Sequence, residues 1–418
     1  MMVLVTRTEV MEVGKHPSLR LLCHQVKNLY NRANHFYKQK KKENIYLSYY
    51  ELNKLLKPEE CYKILPVHTA QHTLKLLIRN WKAFYKASEE WKKQPQKFLG
   101  IPRSPNYKSP KGEGVAIISN QQAQIMNSFL ILPKKVSFSL KTRLNASHSL
   151  REVRIIPRGV GYTVEIVYHK QLPKSKKKNS KRKGALDLGL TNLVTFEDNI
   201  GSRPIIVKYE GKGVKSITQY YLKKTSKLQK QYAQQQRKNL KQQNRLKYGL
   251  AFYHTREQWR RKMKDAFHKL SRFLVDLWIE HDLHTVVIGY NPKWKHQLRL
   301  RKKTTQLFVS VPFHHFINLL TYKAAEQGIK VELIDESHTS KCSFLDNEEI
   351  KKQHNYLGKR VSRGLFRSAK GIIINSDVNA AYNILLKSDL QAFPKRNVGG
   401  VGGYVMYPLR VSFQAMTL

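Results

Sequence analysis

After residue 183, short apolar runs alternate with longer stretches of helical period, and this alternation limits the fold more than any other feature of the sequence. The apolar runs predict five strands, over 184–189, 192–197 and 204–209, in "LHTVVIGY" and in "IKVELIDES". Helical periodicity predicts four helices, over 216–247 and 256–280, from Pro312 to Gln327 and in "SDVNAAYNILLK". The first of these helices is too rich in Gln and Lys to bury a coiled-coil seam, so we expect the first two to form a hairpin inserted into the domain. Strands that alternate with helices predict an α/β domain.

The first half of the chain has a different organisation, in which strands flank a helical segment. A strand is predicted over 2–12, and helical periodicity begins at Leu19 and recurs over 67–88. After a Pro/Gly-rich loop at 100–114, the sequence is strand-like again as far as "GYTVEIVYHK". The basic stretch "KSKKKNSKRK" then predicts a linker between two halves of the chain.

The chain is strongly basic, which indicates a polyanionic partner. Its 77 Lys and Arg residues outnumber 29 Asp and Glu residues, giving a formal net charge of +48 over 418 residues. Because the excess runs through almost every segment, nucleic acid is favoured over a membrane surface. No apolar run approaches the roughly 20 residues of a membrane span, and three scattered cysteines cannot form a disulfide framework. We therefore expect a cytoplasmic, nucleoid-associated protein with no membrane partner.

One face of the helix predicted over 67–88 carries a row of cations. Its members are Lys75, Arg79, Lys82 and Lys86. Such a row is either an ordinary solvated face or a surface that contacts phosphates, and the spacing alone leaves both readings open. Lys75, Arg79 and Lys82 are therefore candidate nucleic-acid-binding residues.

Two aspartates occupy positions that suggest a metal site. Asp187 lies inside the apolar run "GALDLGLTNLVTF", where Gly189 opens a turn to the next strand, and Asp377 falls in the first turn of the final helix. A carboxylate in a buried strand is explained either by an ion pair with Arg or Lys or by a metal ion. In open α/β sheets, ions and small ligands bind at strand ends, and Mg²⁺ and Mn²⁺ prefer hard oxygen ligands. Several converging carboxylates are typical of phosphodiester hydrolysis by two divalent ions.

Five motifs follow one another between residues 184 and 388. They are "GALDLGLTNLVTF", "IGYNPKWK", "ESHTSKCSFLD", "YLGKRVSRGLF" and "INSDVNAAYNILLK". They resemble successive motifs of TnpB, a family of transposon-encoded proteins related to the type V CRISPR effector nucleases. The resemblance implies an α/β RNase H-like (RuvC-type) nuclease domain with an inserted helical hairpin, preceded by a β-barrel wedge domain that carries a helical recognition insert. It also implies RNA-guided cleavage of double-stranded DNA, with a guide RNA from the transposon end and a short flanking motif beside the target.

The resemblance and the composition together predict the domain boundaries. In the first half, we expect a β-rich wedge domain over 1–14 and 101–173 and a helical recognition insert over 15–100. A basic linker over 174–183 should lead to a RuvC-like nuclease domain over 184–340 and 373–388. We expect a degenerate zinc-ribbon-like insert that binds target nucleic acid over 341–372, and a flexible tail over 389–418. A monomer is favoured.

The sequence departs from the family at the expected third acid. Most relatives carry a Glu on the strand that here reads "VVIGYNPKWK", and the matching residue is Gly289, which cannot bind a metal. Glu336 is the best replacement, because its strand should pair with the strand of Gly289 and neighbouring strands lie only about 4.8 Å apart. Asp335 should point to the opposite face. In relatives that share this wording, the resemblance implies a relocated catalytic glutamate. We expect Asp187, Glu336 and Asp377 to be catalytic and to hold two Mg²⁺ or Mn²⁺ ions.

A second departure concerns the cysteines. Many relatives have four cysteines between the last two acid motifs, whereas this chain has only Cys342 there. One thiol cannot form a four-ligand structural zinc site, so none is expected. We expect 341–372 to fold by apolar packing of Phe344, Leu345, Tyr356, Leu357, Leu365 and Phe366. Arg360, Arg363 and Arg367 either contact nucleic-acid backbone near the cut site or are ordinary surface arginines.

Three functions are consistent with these features. The preferred one is an RNA-guided, Mg²⁺-dependent DNA endonuclease of a transposon, because guide pairing would select the sequence while the basic protein reads duplex shape. Gly289 motivates the second, a nuclease-inactive RNA-guided DNA-binding repressor. The third is an unguided DNA-binding protein associated with the transposon.

Overall fold

The computed structural model describes residues 2–145, 148–173, 181–208, 214–236, 248–291, 302–362, 364–393 and 408–412. Contacts divide the chain into two compact units, Met1–Pro173 and Lys174–Leu418. Each unit has its own hydrophobic core. None of the helices within the described ranges combines the length and apolar character needed to cross a bilayer.

Four helices make up the helical segment of the first unit. They are α1 (Pro17–Lys42), α2 (Tyr49–Leu56), α3 (Glu60–Lys63) and α4 (Val67–Lys93), followed by a 3₁₀ turn at Pro95–Lys97. The apolar residues of α1 and α4 recur three and four apart, so each helix buries one stripe. Trp81 of α4 is buried among them; its ring stacks on Tyr37 of α1 with centroids 4.6 Å apart, and its Nε1–H donates to Asn34 Oδ1 at 3.0 Å. These contacts hold α1 against α4.

Seven strands of the first unit form two antiparallel sheets. They are β1 (Met2–Val13), β2 (Ala116–Ser119), β3 (Gln124–Met126), β4 (Phe129–Ile131), β5 (Ser139–Lys141), β6 (Ser149–Arg158) and β7 (Gly161–Pro173). One sheet has the order β1-β7-β6-β2 and the other β3-β4-β5. The pairs within the described residues therefore leave β1 and β2 as edges and do not form the closed barrel expected here. The strands β3 to β5 have three residues each, and among the strands that the structure describes they pair with one another alone.

The second unit is built on a six-stranded mixed sheet. Its strands are β8 (Lys183–Leu188), β9 (Asn192–Asp198), β10 (Ile205–Lys208), β11 (Thr285–Gly289), β12 (Lys330–Ile334) and β16 (Leu409–Ser412), in the order β12-β11-β8-β9-β10-β16. The hairpin neighbours β8, β9 and β10 are antiparallel. In contrast, β11 runs parallel to both β8 and β12, because helices connect these strands. The alternation of strands and helices predicted from the sequence is present.

In the described part of the second unit, five helices accompany this sheet. They are α5 (Val214–Gln235), α6 (Leu250–Glu280), α7 (Lys302–Ser310), α8 (Phe313–Glu326) and α9 (Ser376–Ser388). The expected hairpin region contains α5 and α6, although residues 237–247 of the long helix predicted over 216–247 lie outside the described part. The second helix was predicted to begin at 256 but begins at Leu250, because Phe252 is buried and stacks on Tyr248 with centroids 4.0 Å apart.

The segment 341–372 folds around a small apolar cluster and a three-stranded sheet. The strands β13 (Lys359–Ser362), β14 (Leu365–Arg367) and β15 (Ile373–Asn375) pair in sequence order. Phe344, Leu345 and Phe366 are buried, as predicted, but Leu357 and Leu365 are exposed. The buried Cys342 thiol donates to the carbonyls of Glu349 and Lys351 at 3.5 and 3.6 Å, and burial raises its pKa.

Part of the expected flexible tail is instead incorporated into the fold, so that expectation was wrong for the described residues. Ala392 is buried beside α9, and the Phe393 ring packs edge-on against Phe344. Leu409–Ser412 is the strand β16, which pairs in parallel with β10 at the edge of the sheet. Pairing of backbone groups, which needs no particular side-chain pattern, explains why this strand was missed. The Gly-rich residues 394–407 lie outside the described part.

Candidate active site

Asp187 lies near the end of β8, a central strand of the sheet, opposite Thr195 of β9. The turn that follows needs glycine, because a Cβ on Gly189 would meet the Asn192 carbonyl oxygen at 2.6 Å. Burial is the main cause that raises the pKa of Asp187 well above its usual range, and the charges of Asp377 and Glu336 raise it further. Arg360 acts in the opposite direction. The four side chains therefore share one electrostatic environment.

Asp377 is held at the start of α9, which packs on the sheet through Ile384 and Leu385. Asn375 caps the helix, its Oδ1 accepting from the Asp377 and Val378 N–H groups at 2.9 and 3.3 Å. This position places the carboxylate at the positive end of the helix dipole. Both sequence features, an Asn cap and an Asp in the first turn, are typical of a helix start.

Three side chains contact the Asp377 carboxylate. Asn192 donates its amide N–H to one oxygen at 2.6 Å. The Arg360 guanidinium lies 3.6 Å from the other oxygen, which Ser376 Oγ also approaches at 3.4 Å. Arg360 in turn donates to Ser376 Oγ at 2.7 Å. The predicted backbone-contacting arginine thus lies beside an acid of the site, with 56% of its side chain exposed.

Glu336 lies two residues beyond β12 and next to Gly289. The register of the parallel pair matches Gly289 with Ile334, and the Glu336 Cβ lies 3.3 Å from the position that a Cβ on Gly289 would occupy. Its carbonyl accepts from the Thr339 N–H and hydroxyl at 3.2 and 2.8 Å, which fixes the chain beyond the strand. Glu336 is half-buried and close enough to Asp187 to raise its pKa.

The neighbouring acid Asp335 is directed elsewhere. Its carboxylate lies 3.6 Å from the Lys387 Nζ and is largely exposed. A hydrogen bond from Ser337, with the Lys387 charge, lowers its pKa. Alternation along the extended chain, predicted from the sequence, accounts for the different surroundings of Asp335 and Glu336.

The carboxylates of Asp187, Glu336 and Asp377 do not form a complete coordination shell for one metal ion. Across the described ranges, no three His, Cys, Asp or Glu side chains are grouped closely enough to hold one metal ion in this conformation. Asp377 and Glu336 nevertheless lie close enough to Asp187 for their charges to raise its pKa, and Arg360 is a nearby cation. Two ions about 3.5–4 Å apart need ligands spread over a wider space than a single shell. The oxygen-only donor set fits Mg²⁺ or Mn²⁺ in such a site.

The structure places the other predicted nucleic-acid-binding residues on different elements. Lys75, Arg79 and Lys82 are exposed along α4 of the first unit, and Lys75 Nζ lies 5.1 Å from the centroid of the Tyr49 ring. Arg367 is exposed on β14. Arg363 lies outside the described residues.

Sequence reasoning missed Asn192 as a residue of the site. It occurs in the first motif, five residues after Asp187, but a partner 185 positions away cannot be read from local sequence. The available signal was an amide side chain at the head of the strand predicted over 192–197. Ser376, which links Arg360 to Asp377, was missed for the same reason.

Two family profiles match the chain. One, described as "Probable transposase" (OrfB_IS605), matches residues 163–295, and the other, described as "Cas12f1-like, TNB domain", matches residues 313–384. No curated protein matches the sequence.

Solved structures with a similar chain include the Cas12f1-sgRNA-target DNA complex determined by cryo-EM. That match has 14% identity and a TM-score of 0.46, covering 87% of this chain and 81% of the other. The cryo-EM structure of a CRISPR-Cas12f ternary complex has 14% identity and a TM-score of 0.34, covering 88% and 80%. The two profile matches agree with the resemblance that the motifs predicted, and together they support a TnpB-like family member.

Proposed function

We propose that this chain is an RNA-guided, divalent-metal-dependent DNA endonuclease of a transposon, which cuts DNA paired to a bound guide RNA beside a short flanking motif. The observation that supports the proposal is that Asp377 and Glu336 lie close enough to Asp187 for their charges to raise its pKa, in a chain with TnpB-like motifs. Three carboxylates with little compensating positive charge are costly in a folded protein, and a cation site explains their retention.

In the proposed site, Asp187, Glu336 and Asp377 hold two Mg²⁺ or Mn²⁺ ions. When bound, such ions activate a water molecule and stabilise the charge that develops on the phosphate. Arg360 contacts the DNA backbone, since its guanidinium is half exposed beside Asp377. Its planar, permanently charged group suits phosphate oxygens. Asp187 lies on the central strand β8, Asp377 lies in the first turn of α9, and Glu336 follows β12, so three different elements supply the acids.

The proposed partners are a guide RNA from the transposon end and a double-stranded DNA target. A net charge of +48 requires polyanions to offset self-repulsion, and guide and target together supply many phosphates. The exposed row Lys75, Arg79 and Lys82 offers one contact surface for them. Because many phosphates would be neutralised, affinity should fall steeply with salt.

Gly289 favours a second candidate, a nuclease-inactive RNA-guided repressor. A Cβ at this position would lie 2.6 Å from Ile384 Cδ1, so the packing of α9 on β11 leaves little room for an acid there. A repressor would bind guided DNA without cutting it. The proximity of Glu336 to the same position supports the nuclease as the first choice.

The deciding experiment begins with sequencing the RNA that co-purifies with the chain. A plasmid with a target matched to that guide is then incubated with the protein and Mg²⁺. If the chain is a nuclease, the wild type and the matched control Asp335→Asn should cut the plasmid. The variants Asp187→Asn, Glu336→Gln and Asp377→Asn should bind the DNA without cutting it. Guided binding without nicking by the wild type would overturn the nuclease in favour of the repressor. Tight DNA binding by RNA-free protein, with no defined RNA species, would overturn RNA guidance.

A further inference from the structure

Asn192 is the first residue of β9 and contacts an acid of the candidate active site. Its side-chain Nδ2 lies 2.6 Å from Asp377 Oδ2, and the residue is 9% exposed. The orientation of the amide is set by chemistry, because an ionised carboxylate only accepts hydrogen bonds and the amide must therefore present its NH₂ group. One buried side chain thus links the head of β9 to the first turn of α9.

The fold itself does not explain an asparagine at this position. Asn192 is outside the set of residues with positive φ, the backbone conformation for which asparagine is often selected. Within the described residues, its Oδ1 is buried with no hydrogen-bond partner. An unpaired buried acceptor lowers stability, so an apolar residue of similar size would suit the strand better. A buried polar residue that lowers the stability of the fold in this way is expected at functional sites.

The other contacts of Asp377 are longer. Ser376 Oγ lies 3.4 Å and the Arg360 guanidinium 3.6 Å from Oδ1, whereas the Asn192 contact is made to Oδ2. Without Asn192, Oδ2 would lose this donor, while the charge of Arg360 would remain beside Oδ1. The carboxylate would then adopt several orientations in place of one.

We propose that Asn192 is a positioning residue of the metal site, which holds the Asp377 carboxylate in the orientation that binds the divalent ion. The inference rests on the proposed function, since it requires Asp377 to be a metal ligand. Partners that orient ligating carboxylates change metal affinity by about 10- to 100-fold when they are removed. The same range is expected here.

Asn192→Leu tests this proposal, because it keeps the approximate size and removes both the donor and the unpaired acceptor. Mn²⁺ is titrated into the full-length protein, with binding followed by calorimetry, and the melting temperature is measured without metal. We expect Asn192→Leu to melt at or above the wild-type temperature and to bind Mn²⁺ about 10- to 100-fold more weakly. Asn192→Ala, which adds no bulk, provides the same comparison if Leu disturbs the strand.

Asn199→Ala is the matched control. Asn199 follows the other end of the same hairpin, where its side chain bonds the Lys183 N–H and the Lys181 carbonyl, and its loss should leave Mn²⁺ affinity unchanged. In cleavage assays, Asn192→Leu should raise the Mg²⁺ concentration needed for half-maximal rate while the rate at saturating Mg²⁺ stays near that of the wild type. The positioning role would be overturned if folded Asn192→Leu or Asn192→Ala bound Mn²⁺ as tightly as the wild type while Asp377→Asn did not bind it. Equal Mn²⁺ binding by wild type and Asp377→Asn would overturn the proposed metal site itself.

Discussion

The Cβ of Glu336 lies 3.3 Å from the position that a Cβ on Gly289 would take, although the two residues are on neighbouring parallel segments. Side chains at positions 289 and 336 would therefore begin at Cβ positions only 3.3 Å apart. An acid at 336 can therefore serve the location that an acid at 289 would serve. Glycine at 289 leaves that space to Glu336 and to Ile384 of α9.

This relationship predicts that Gly289→Ala destabilises the second unit. The added methyl would lie 2.6 Å from Ile384 Cδ1, and overpacking of this kind costs roughly 1–3 kcal/mol. Ile384→Val removes the Cδ1 atom, so the double variant Gly289→Ala/Ile384→Val should lose less stability than the two single variants predict by addition. Denaturant unfolding of the four proteins in a double-mutant cycle measures the coupling.

Gly100→Ala is the control for this cycle, because a Cβ there would have no neighbour within 4 Å. It should change stability little. Strict additivity of the Gly289 and Ile384 substitutions would contradict the close approach of α9 to β11.

A second prediction concerns Arg360 beside Asp377. Arg360→Ala should reduce cleavage of matched DNA by about two orders of magnitude, the usual effect of removing one donor that stabilises developing charge, while DNA affinity changes little. Arg360→Lys should recover only part of the rate, because an ammonium group lacks the planar fork of the guanidinium. Single-turnover cleavage and binding, measured separately, give the two quantities.

Arg367→Ala is the matched comparison, since Arg367 is exposed on the adjacent strand β14, opposite Lys359 rather than Arg360. It should weaken binding slightly and leave the cleavage rate of bound DNA unchanged. Equal rates for Arg360→Ala and wild type would exclude Arg360 from the reaction.

A third prediction concerns the exposed cations of α4. Replacing Lys75, Arg79 and Lys82 together by Ala should weaken nucleic-acid binding and reduce the slope of log affinity against log salt by about 2–3, since each lost phosphate contact contributes about 0.7–0.9. Filter binding across a salt series measures the slope. In the control variant Arg32→Ala/Lys40→Ala, the lost cations already pair with Glu59 and Glu43 at 2.9 and 2.7 Å, so the slope should hardly change. Identical slopes for the triple variant and wild type would indicate an ordinary solvated face.

Local patterns predict two of the candidate site residues that the structure brings near one another. Asp187 precedes Gly189, which opens a turn between two strands, and Asp377 falls in the first turn of the final helix. Glu336 required one tertiary assumption, that consecutive parallel strands are neighbours, and the pairing of β11 with β12 satisfies it.

The parts that were missed depend on contacts between distant segments. The amide of Asn192 has its partner 185 residues away, and no local pattern encodes that pair. The strand Leu409–Ser412 pairs through its backbone with β10, about 200 positions earlier in the chain. The early start of α6 depends on stacking of Phe252 with Tyr248, a contact that helical periodicity over 256–280 does not include.

The final prediction concerns Glu197, a buried acid of β9 that lies outside the proposed chemistry. Burial is the main cause that raises its pKa well above the usual range, and the charge of the neighbouring Asp198 also raises it. We therefore expect the folded protein to keep this carboxyl group protonated. An acid with a raised folded-state pKa stabilises the fold fully below its unfolded pKa, about 4.3, and this stability is lost as pH rises toward the folded value.

Glu197→Gln mimics the protonated acid at every pH, so its unfolding free energy relative to wild type should increase from pH 5 to pH 8, by up to about 1.4 kcal/mol per pH unit. Denaturant unfolding at several pH values measures this difference. Glu332→Gln, at a half-buried acid paired with Lys330 at 2.6 Å, is the control that should show no such trend. A difference for Glu197→Gln that stays constant across this pH range would mean that the buried carboxyl group is ionised in the folded protein.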